Sequence, residues 1–234
     1  MNESFGPVNS VIHEFTGPVL YATFYTTMET PTSSHRNEAQ MAHANAWWNG
    51  LTDQWKKAFN EVALRRSGTE HPGEEMLITV FTSPNQRFAG PGAPYPNMTF
   101  ELTDLSGLIG LPNMEVVVVI FHKITHVREA ANFKNLRSLF VYNNEITSLE
   151  GVEGLITLKE LYCHVNQITS LKPLEKLTNL QSLYCNYNLI SHLDGIGQQH
   201  ADRLENFFCQ PNDNLKDSVT LRFEQEVGIR CRKG

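Results

Sequence analysis

Two sets of residues have the types that could bind a metal ion or act as nucleophiles. His122 and His126 stand four residues apart in the segment HKITH. On a helix, two imidazoles at that spacing would share a face and could hold zinc. The thiols of Cys163, Cys185 and Cys209 are separated by 22 and then 24 residues. Disulfide and zinc motifs use cysteines at short spacing, so this series favours buried free thiols instead.

Longer catalytic motifs are absent from the sequence. It contains no H-E-x-x-H, G-x-S-x-G, phosphate-binding loop or G-x-G-x-x-G pattern. We therefore predict no cofactor and no catalytic residue, and we expect the chain not to be an enzyme. One enzymatic alternative stays open, in which a cleft near His43 and Glu61 holds titratable groups with shifted pKa values.

The thiol spacing belongs to a repeat that also sets many other positions. Asn144, Asn166 and Asn188 recur every 22 residues, and aliphatic residues recur around them. Each unit reads L-x-x-L-x-[VC]-x-x-N-x-I-[TS]-x-L. One unit earlier His122 takes the asparagine position, and Asn212 takes it one unit later, after a two-residue insertion. A fixed period of this kind predicts a solenoid of stacked units. HKITH then follows a strand rather than lying on a helix, so no metal site is expected.

These units resemble leucine-rich repeats of the 22-residue class, found in internalin-like bacterial proteins and in phosphatase-regulator-type repeats. The resemblance covers roughly residues 100–214, about half of the chain. It implies an α/β solenoid with a parallel β-ladder on one side and irregular or 3-10 turns on its convex side. It also favours a bacterial origin, and it carries no information on the ligand.

The segments that flank the repeats have a different pattern. Before them, Trp48, Trp55 and other apolar residues recur at steps of three and four, which indicates an amphipathic helix broken near Asn49–Gly50. Solenoid ends expose core and need caps. We predict a partly ordered lead-in at 1–36, a helical N-terminal cap and Gly/Pro loop at 37–99, the solenoid at 100–214 and a C-terminal cap at 215–234.

Alternation along each predicted strand separates core positions from surface positions. Leu139, Leu161 and Leu183 form one stripe of the predicted core. The asparagines close the turn after each strand, where their amides can bond to unpaired backbone groups. The predicted structural asparagine ladder consists of Asn144, Asn166, Asn188 and Asn212.

Residues between the core positions face the concave side of a solenoid and are rich in tyrosine and phenylalanine. Such residues are enriched at protein interfaces. We therefore predict binding of a protein or peptide, with carbohydrate binding as the alternative. A third possibility is that the rings only stabilise the sheet, or that the ends of the chain cover them. The predicted binding residues are Val118, Ile120, Phe140, Tyr142, Tyr162, His164, Tyr184, Asn186, Tyr187, Phe208 and Gln210.

Composition limits the remaining classes of partner and location. The formal net charge is −6 and the pI is about 5.8, so a basic patch for nucleic acid is not expected. The sequence has no run of about 18 apolar residues, so no membrane span is expected. The first residues lack the pattern of a signal peptide, so we expect a cytoplasmic location.

Overall fold

A computed structural model describes residues 38–234, which lie in a unit that begins at Asn37. The predicted lead-in at 1–36 lies outside the described residues. The helices are α1 (Glu38–Gly50), α2 (Asp53–Leu64), α3 (Glu74–Thr82) and α4 (Asp217–Val227). The strands are β1 (Asn85–Ala89), β2 (Val116–Ile120), β3 (Ser138–Phe140), β4 (Glu160–Tyr162), β5 (Ser182–Tyr184), β6 (Asn206–Gln210) and β7 (Arg232–Lys233).

All seven strands form one parallel sheet in which spatial order follows chain order. Leu139 pairs with Leu161, and Leu161 pairs with Leu183, so equivalent residues of successive units lie side by side. Short return segments connect the strands. The 3-10 turns among them are Ser106–Leu108, Arg128–Asn132, Lys172–Leu174 and Gln198–His200. This confirms the predicted leucine-rich repeat solenoid with an N-terminal helical segment.

The repeat positions assigned to the core are buried. Leu139, Leu161 and Leu183 each have 0% exposure. Burial of one leucine side chain contributes about 1.5–3 kcal/mol, and every unit adds several such residues. Neighbouring units share this interior because no single short strand could bury its apolar face alone.

The N-terminal helices pack on the first turn of the solenoid. The helical pattern breaks where predicted, because α1 ends at Gly50 and Thr52 caps α2 by accepting a hydrogen bond from the Trp55 N–H. Trp55 is fully buried and donates its indole N–H to Asp104 at 2.9 Å. A side chain at Gly107 would collide with the Trp55 ring at 2.1 Å, so glycine is required for this packing.

The first strand of the sheet was not predicted from the sequence. A strand, β1, lies in the segment NQRFA just before the Gly/Pro loop, where we predicted none, and pairs with β2. Its polar composition conceals it, but Phe88 is fully buried and Gln86 is 6% exposed. At the other end, the segment 215–234, predicted as a C-terminal cap, contains both α4 and β7.

Candidate functional site

The candidate site lies on the face of the sheet that is directed away from the core, here called the concave face. Alternation along the strands places two predicted columns there. The aromatic column is Val118, Phe140, Tyr162, Tyr184 and Phe208. The mixed column, two residues further along each strand, is Ile120, Tyr142, His164, Asn186 and Gln210.

Rings in the aromatic column contact one another from strand to strand. The ring centroids of Phe140 and Tyr162 are 4.7 Å apart, and those of Tyr162 and Tyr184 are 4.2 Å apart. Tyr184 and Phe208 stack at 4.3 Å with an angle of 13° between their planes. Because the backbone ladder fixes the strand spacing, the parallel register alone brings these rings into contact.

This face is less open than the sequence predicts. In the aromatic column, Phe140, Tyr162 and Tyr184 are only 8%, 6% and 4% exposed. Side chains of neighbouring strands cover much of one another's area, which an argument from alternation along one strand does not capture. Partial exposure remains at Phe208 and at two polar residues of the mixed column, His164 and Gln210.

The mixed column contains two polar atoms that have no hydrogen-bond partner within residues 38–234. They are Nδ1 of His164 and Oδ1 of Asn186, and both atoms are buried. His164 stacks on Tyr142 at 4.5 Å with an interplanar angle of 14°. Burial lowers the pKa of His164 to about 4 and raises that of Tyr142 to about 12. Both side chains are therefore neutral near pH 7.

A third column on this face was missed by the sequence reasoning. It lies two residues before the aromatic column and runs Val116, Ser138, Glu160, Ser182 and Asn206. The Ser138 hydroxyl donates to the Glu160 carboxylate at 2.6 Å, and the Asn206 amide donates to Ser182 at 3.2 Å. The same period-two alternation would have identified this column, had it been extended back to the start of each strand.

Just beyond each strand, the chain turns through a left-handed residue that is not glycine. Phe121, Asn143, Val165 and Tyr187 have φ values of 57°, 54°, 54° and 53°. A β-branched residue such as Val165 is disfavoured there because its side chain crowds the backbone. Tyr187, a predicted binding residue, is 41% exposed at this edge of the concave face, and Leu189 beside it is 47% exposed.

The asparagines after the strands bond to the backbone of neighbouring units. Asn166 donates from Nδ2 to the carbonyls of Val141 and Cys163 and accepts from the Ile146 N–H. The same geometry recurs in the other members of the ladder, Asn144, Asn188 and Asn212. His122 takes part in the equivalent way, since its Nδ1 accepts the Leu102 N–H at 3.1 Å. Burial lowers the pKa of His122 to about 4.

The histidine and cysteine residues that could bind a metal or act as nucleophiles make structural contacts instead. His126 lies 3.2 Å from the Glu129 carboxylate, and residues 38–234 contain no group of three ligands that could hold a metal ion. Cys163, Cys185 and Cys209 form a fully buried column on the core side. Burial raises the pKa of Cys163 to about 12, so its thiol is unreactive.

A cleft of about 970 Å³ lies between α1 and the return segment around Ile109. His43 is the one titratable residue among those that line it. Glu61, which the enzymatic alternative placed nearby, instead accepts the backbone N–H of Thr99 at 3.0 Å.

The repeats and the parallel ladder have the fold of a leucine-rich repeat solenoid. Residues 156–197 match the family model for leucine-rich repeats in two copies. The functional domain of InlJ from Listeria monocytogenes, which includes a cysteine ladder, is 22% identical with a TM-score of 0.53. That match covers 74% of this chain and 34% of the InlJ chain. The predicted resemblance to bacterial internalin-like repeats is thereby confirmed at the level of fold.

Two further internalins from Listeria monocytogenes are similar over shorter stretches. Internalin C2 is 24% identical, with a TM-score of 0.40 and coverage of 50% of this chain and 60% of its own. Internalin inlF is 23% identical, with a TM-score of 0.42 and coverage of 59% and 46%. This chain thus spans less than two thirds of each solved protein. No curated protein sequence matches it.

Within residues 38–234, every helix is too short or too polar to cross a lipid bilayer.

Proposed function

We propose that this chain is a non-enzymatic interaction module that binds a protein or peptide on its concave face, in a cytoplasmic setting. Leucine-rich repeats generally serve as protein-interaction modules. The solenoid presents side chains from successive strands in register, which suits an elongated partner. Tyrosine and phenylalanine provide large contact areas at a small cost in side-chain entropy.

The observation that carries the proposal is the pair of unpartnered atoms, Nδ1 of His164 and Oδ1 of Asn186. Asn186 is only 2% exposed. A buried polar atom without a hydrogen bond costs about 1–3 kcal/mol, and few such atoms occur in native proteins. A polypeptide partner that places N–H or O–H groups against these two atoms would recover that energy.

Carbohydrate binding, the alternative, is less compatible with the arrangement of the rings. A sugar stacks on an exposed aromatic face. Here Tyr184 lies against Phe208, and Tyr142 lies against His164, with their planes nearly parallel. Ring faces that cover one another leave mainly edges for a ligand. Edges and polar atoms suit a polypeptide better.

The test replaces the two polar groups by apolar groups of similar shape. Asn186→Leu and His164→Phe are compared with the wild type in the selection of binders from a random peptide library displayed on phage. We expect the two variants to bind the selected peptides at least about tenfold more weakly, which corresponds to about 1.4 kcal/mol. Both should also resist urea better, because each lacks an unpaired buried group.

Gln167→Leu is the matched control, since Gln167 is exposed at the edge of the repeat. It introduces the same apolar group but leaves both concave-face atoms in place, so peptide binding should not change. A glycan array probed with the same proteins separates the two ligand classes. Peptide binding that both concave-face variants retain, or strong glycan binding that they lose, would refute the proposal.

A further inference from the structure

Glu160 is the acidic residue at the centre of the concave face. It begins β4, the fourth of seven strands, and it is partly exposed. Its carboxylate accepts a hydrogen bond from Ser138, and it takes part in no ion pair within residues 38–234. An ionised carboxylate can accept about four hydrogen bonds, so this one retains capacity for a donor from outside.

The residues that pair with Glu160 on the two neighbouring strands, Ser138 and Ser182, carry no charge. Tyr162 follows two residues later on the same side of β4, and His164 comes two residues after that. His164 is neutral near pH 7 because burial lowers its pKa to about 4, so it adds no positive charge. A carboxylate with spare acceptor capacity and no cation of its own matches a side chain that is cationic and rich in N–H donors.

The chain itself provides an example of this chemistry at the end of the same face. The guanidinium of Arg232 lies 5.8 Å from the centroid of the Phe208 ring and donates to Oδ1 of Asn206 at 3.2 Å. Phe208 and Asn206 occupy the same two columns as Tyr162 and Glu160. The central pair therefore repeats the ring and acceptor that Arg232 uses, with a full negative charge in place of an amide.

The two arginines of the concave face do not satisfy the central carboxylate. Arg87 belongs to β1, where it pairs with Val118, and Arg232 belongs to β7. Each is three strands from β4, roughly 14 Å at about 4.8 Å per strand. That distance exceeds the Debye length of about 8 Å at physiological salt, so their fields at Glu160 are largely screened. Arg87 also donates to the Tyr95 carbonyl at 2.7 Å.

We propose that the partner anchors on this face through an arginine or lysine side chain that pairs with Glu160. This inference rests on the proposed function and specifies the chemistry of its partner. Arginine is preferred over lysine because its planar group can bond to a carboxylate through two N–H groups at once. The net charge of −6 favours a basic partner in the same sense.

The experiment asks which residues the selected peptides share and how they respond to Glu160→Gln. Peptides from the random phage library should be enriched in arginine and lysine. Their affinity for E160Q, measured with synthetic peptides, should fall at least about tenfold and should depend less on salt. Glutamine keeps an acceptor for Ser138, so the fold is expected to persist. Glu175→Gln, an exposed change of equal charge in a return segment, should leave affinity unchanged.

A second measurement leaves the protein unaltered. Replacement of the critical arginine of a selected peptide by citrulline removes the charge but keeps the shape, and it should weaken binding to the wild type as much as E160Q does. Peptides that respond to N186L but lack basic residues, or that bind E160Q normally, would overturn this inference alone. A loss of peptide affinity in E175Q equal to that in E160Q would also overturn this inference. Failure to select any peptide, or binding indifferent to N186L, H164F and E160Q, would overturn the proposed function as well.

Discussion

Replacement of Asn166 by alanine should destabilise the solenoid by about 2–5 kcal/mol. Oδ1 of Asn166 accepts the Ile146 N–H at 2.9 Å, and Nδ2 donates to the carbonyls of Val141 and Cys163 at 3.0 and 3.1 Å. Alanine leaves the Ile146 N–H unpaired, which costs about 1–3 kcal/mol.

The hydrogen bonds lost at the two carbonyls cost less, because each carbonyl still accepts a hydrogen bond from another asparagine of the ladder. The Val141 carbonyl still accepts from Asn144, and the Cys163 carbonyl still accepts from Asn188. Each lost bond then contributes about 0.5–1 kcal/mol. For a chain of this size, 1 kcal/mol shifts the melting temperature by about 2–4 °C, so a drop of about 4–20 °C is expected.

Urea unfolding followed by circular dichroism measures the effect, with Asn179→Ala as the matched control. Asn179 also bonds to the preceding unit, but through one exposed hydrogen bond to the Ile156 carbonyl. Its loss should cost less than about 1 kcal/mol. If N166A and N179A had equal unfolding free energies within about 0.5 kcal/mol, the ladder would not stabilise the stack as described.

Two substitutions and one labelling experiment test other features of the chain. Val165→Asn should stabilise the fold by about 1 kcal/mol, because asparagine tolerates the left-handed backbone that strains valine; a lower urea midpoint would contradict this. His122→Asn keeps an acceptor for the Leu102 N–H but removes a titrating group. Since the unfolded histidine binds a proton near pH 6.5 and the folded one only near pH 4, stability falls as pH drops between these values. As pH drops over that range, the urea midpoint of H122N should fall less than that of the wild type. An equal fall in both proteins would contradict the role given to His122. Iodoacetamide should label the partly exposed Cys231 before the fully buried Cys163, as measured by mass spectrometry, and equal rates would contradict the burial.

The sequence by itself determined the solenoid and its interior. Because each unit repeats the same spacing, Leu139, Leu161 and Leu183 identify one another without any knowledge of the rest of the chain. Stacking is then the arrangement that buries all of them at once. The aromatic and mixed columns followed from alternation along each strand, and so did the place of the asparagines.

Only the tertiary structure decided what lies between units and at their ends. Strand β1 was not predicted because its residues do not follow the repeat pattern. It forms a strand because it pairs with β2. The hydrogen bond from Ser138 to Glu160, the close ring contacts of the concave face and the isolation of the Asn186 oxygen depend on strands one repeat or more apart. Sequence spacing specifies which residues share a column. Contact, burial and hydrogen bonding depend on three-dimensional distances, which arise only once the strands have paired.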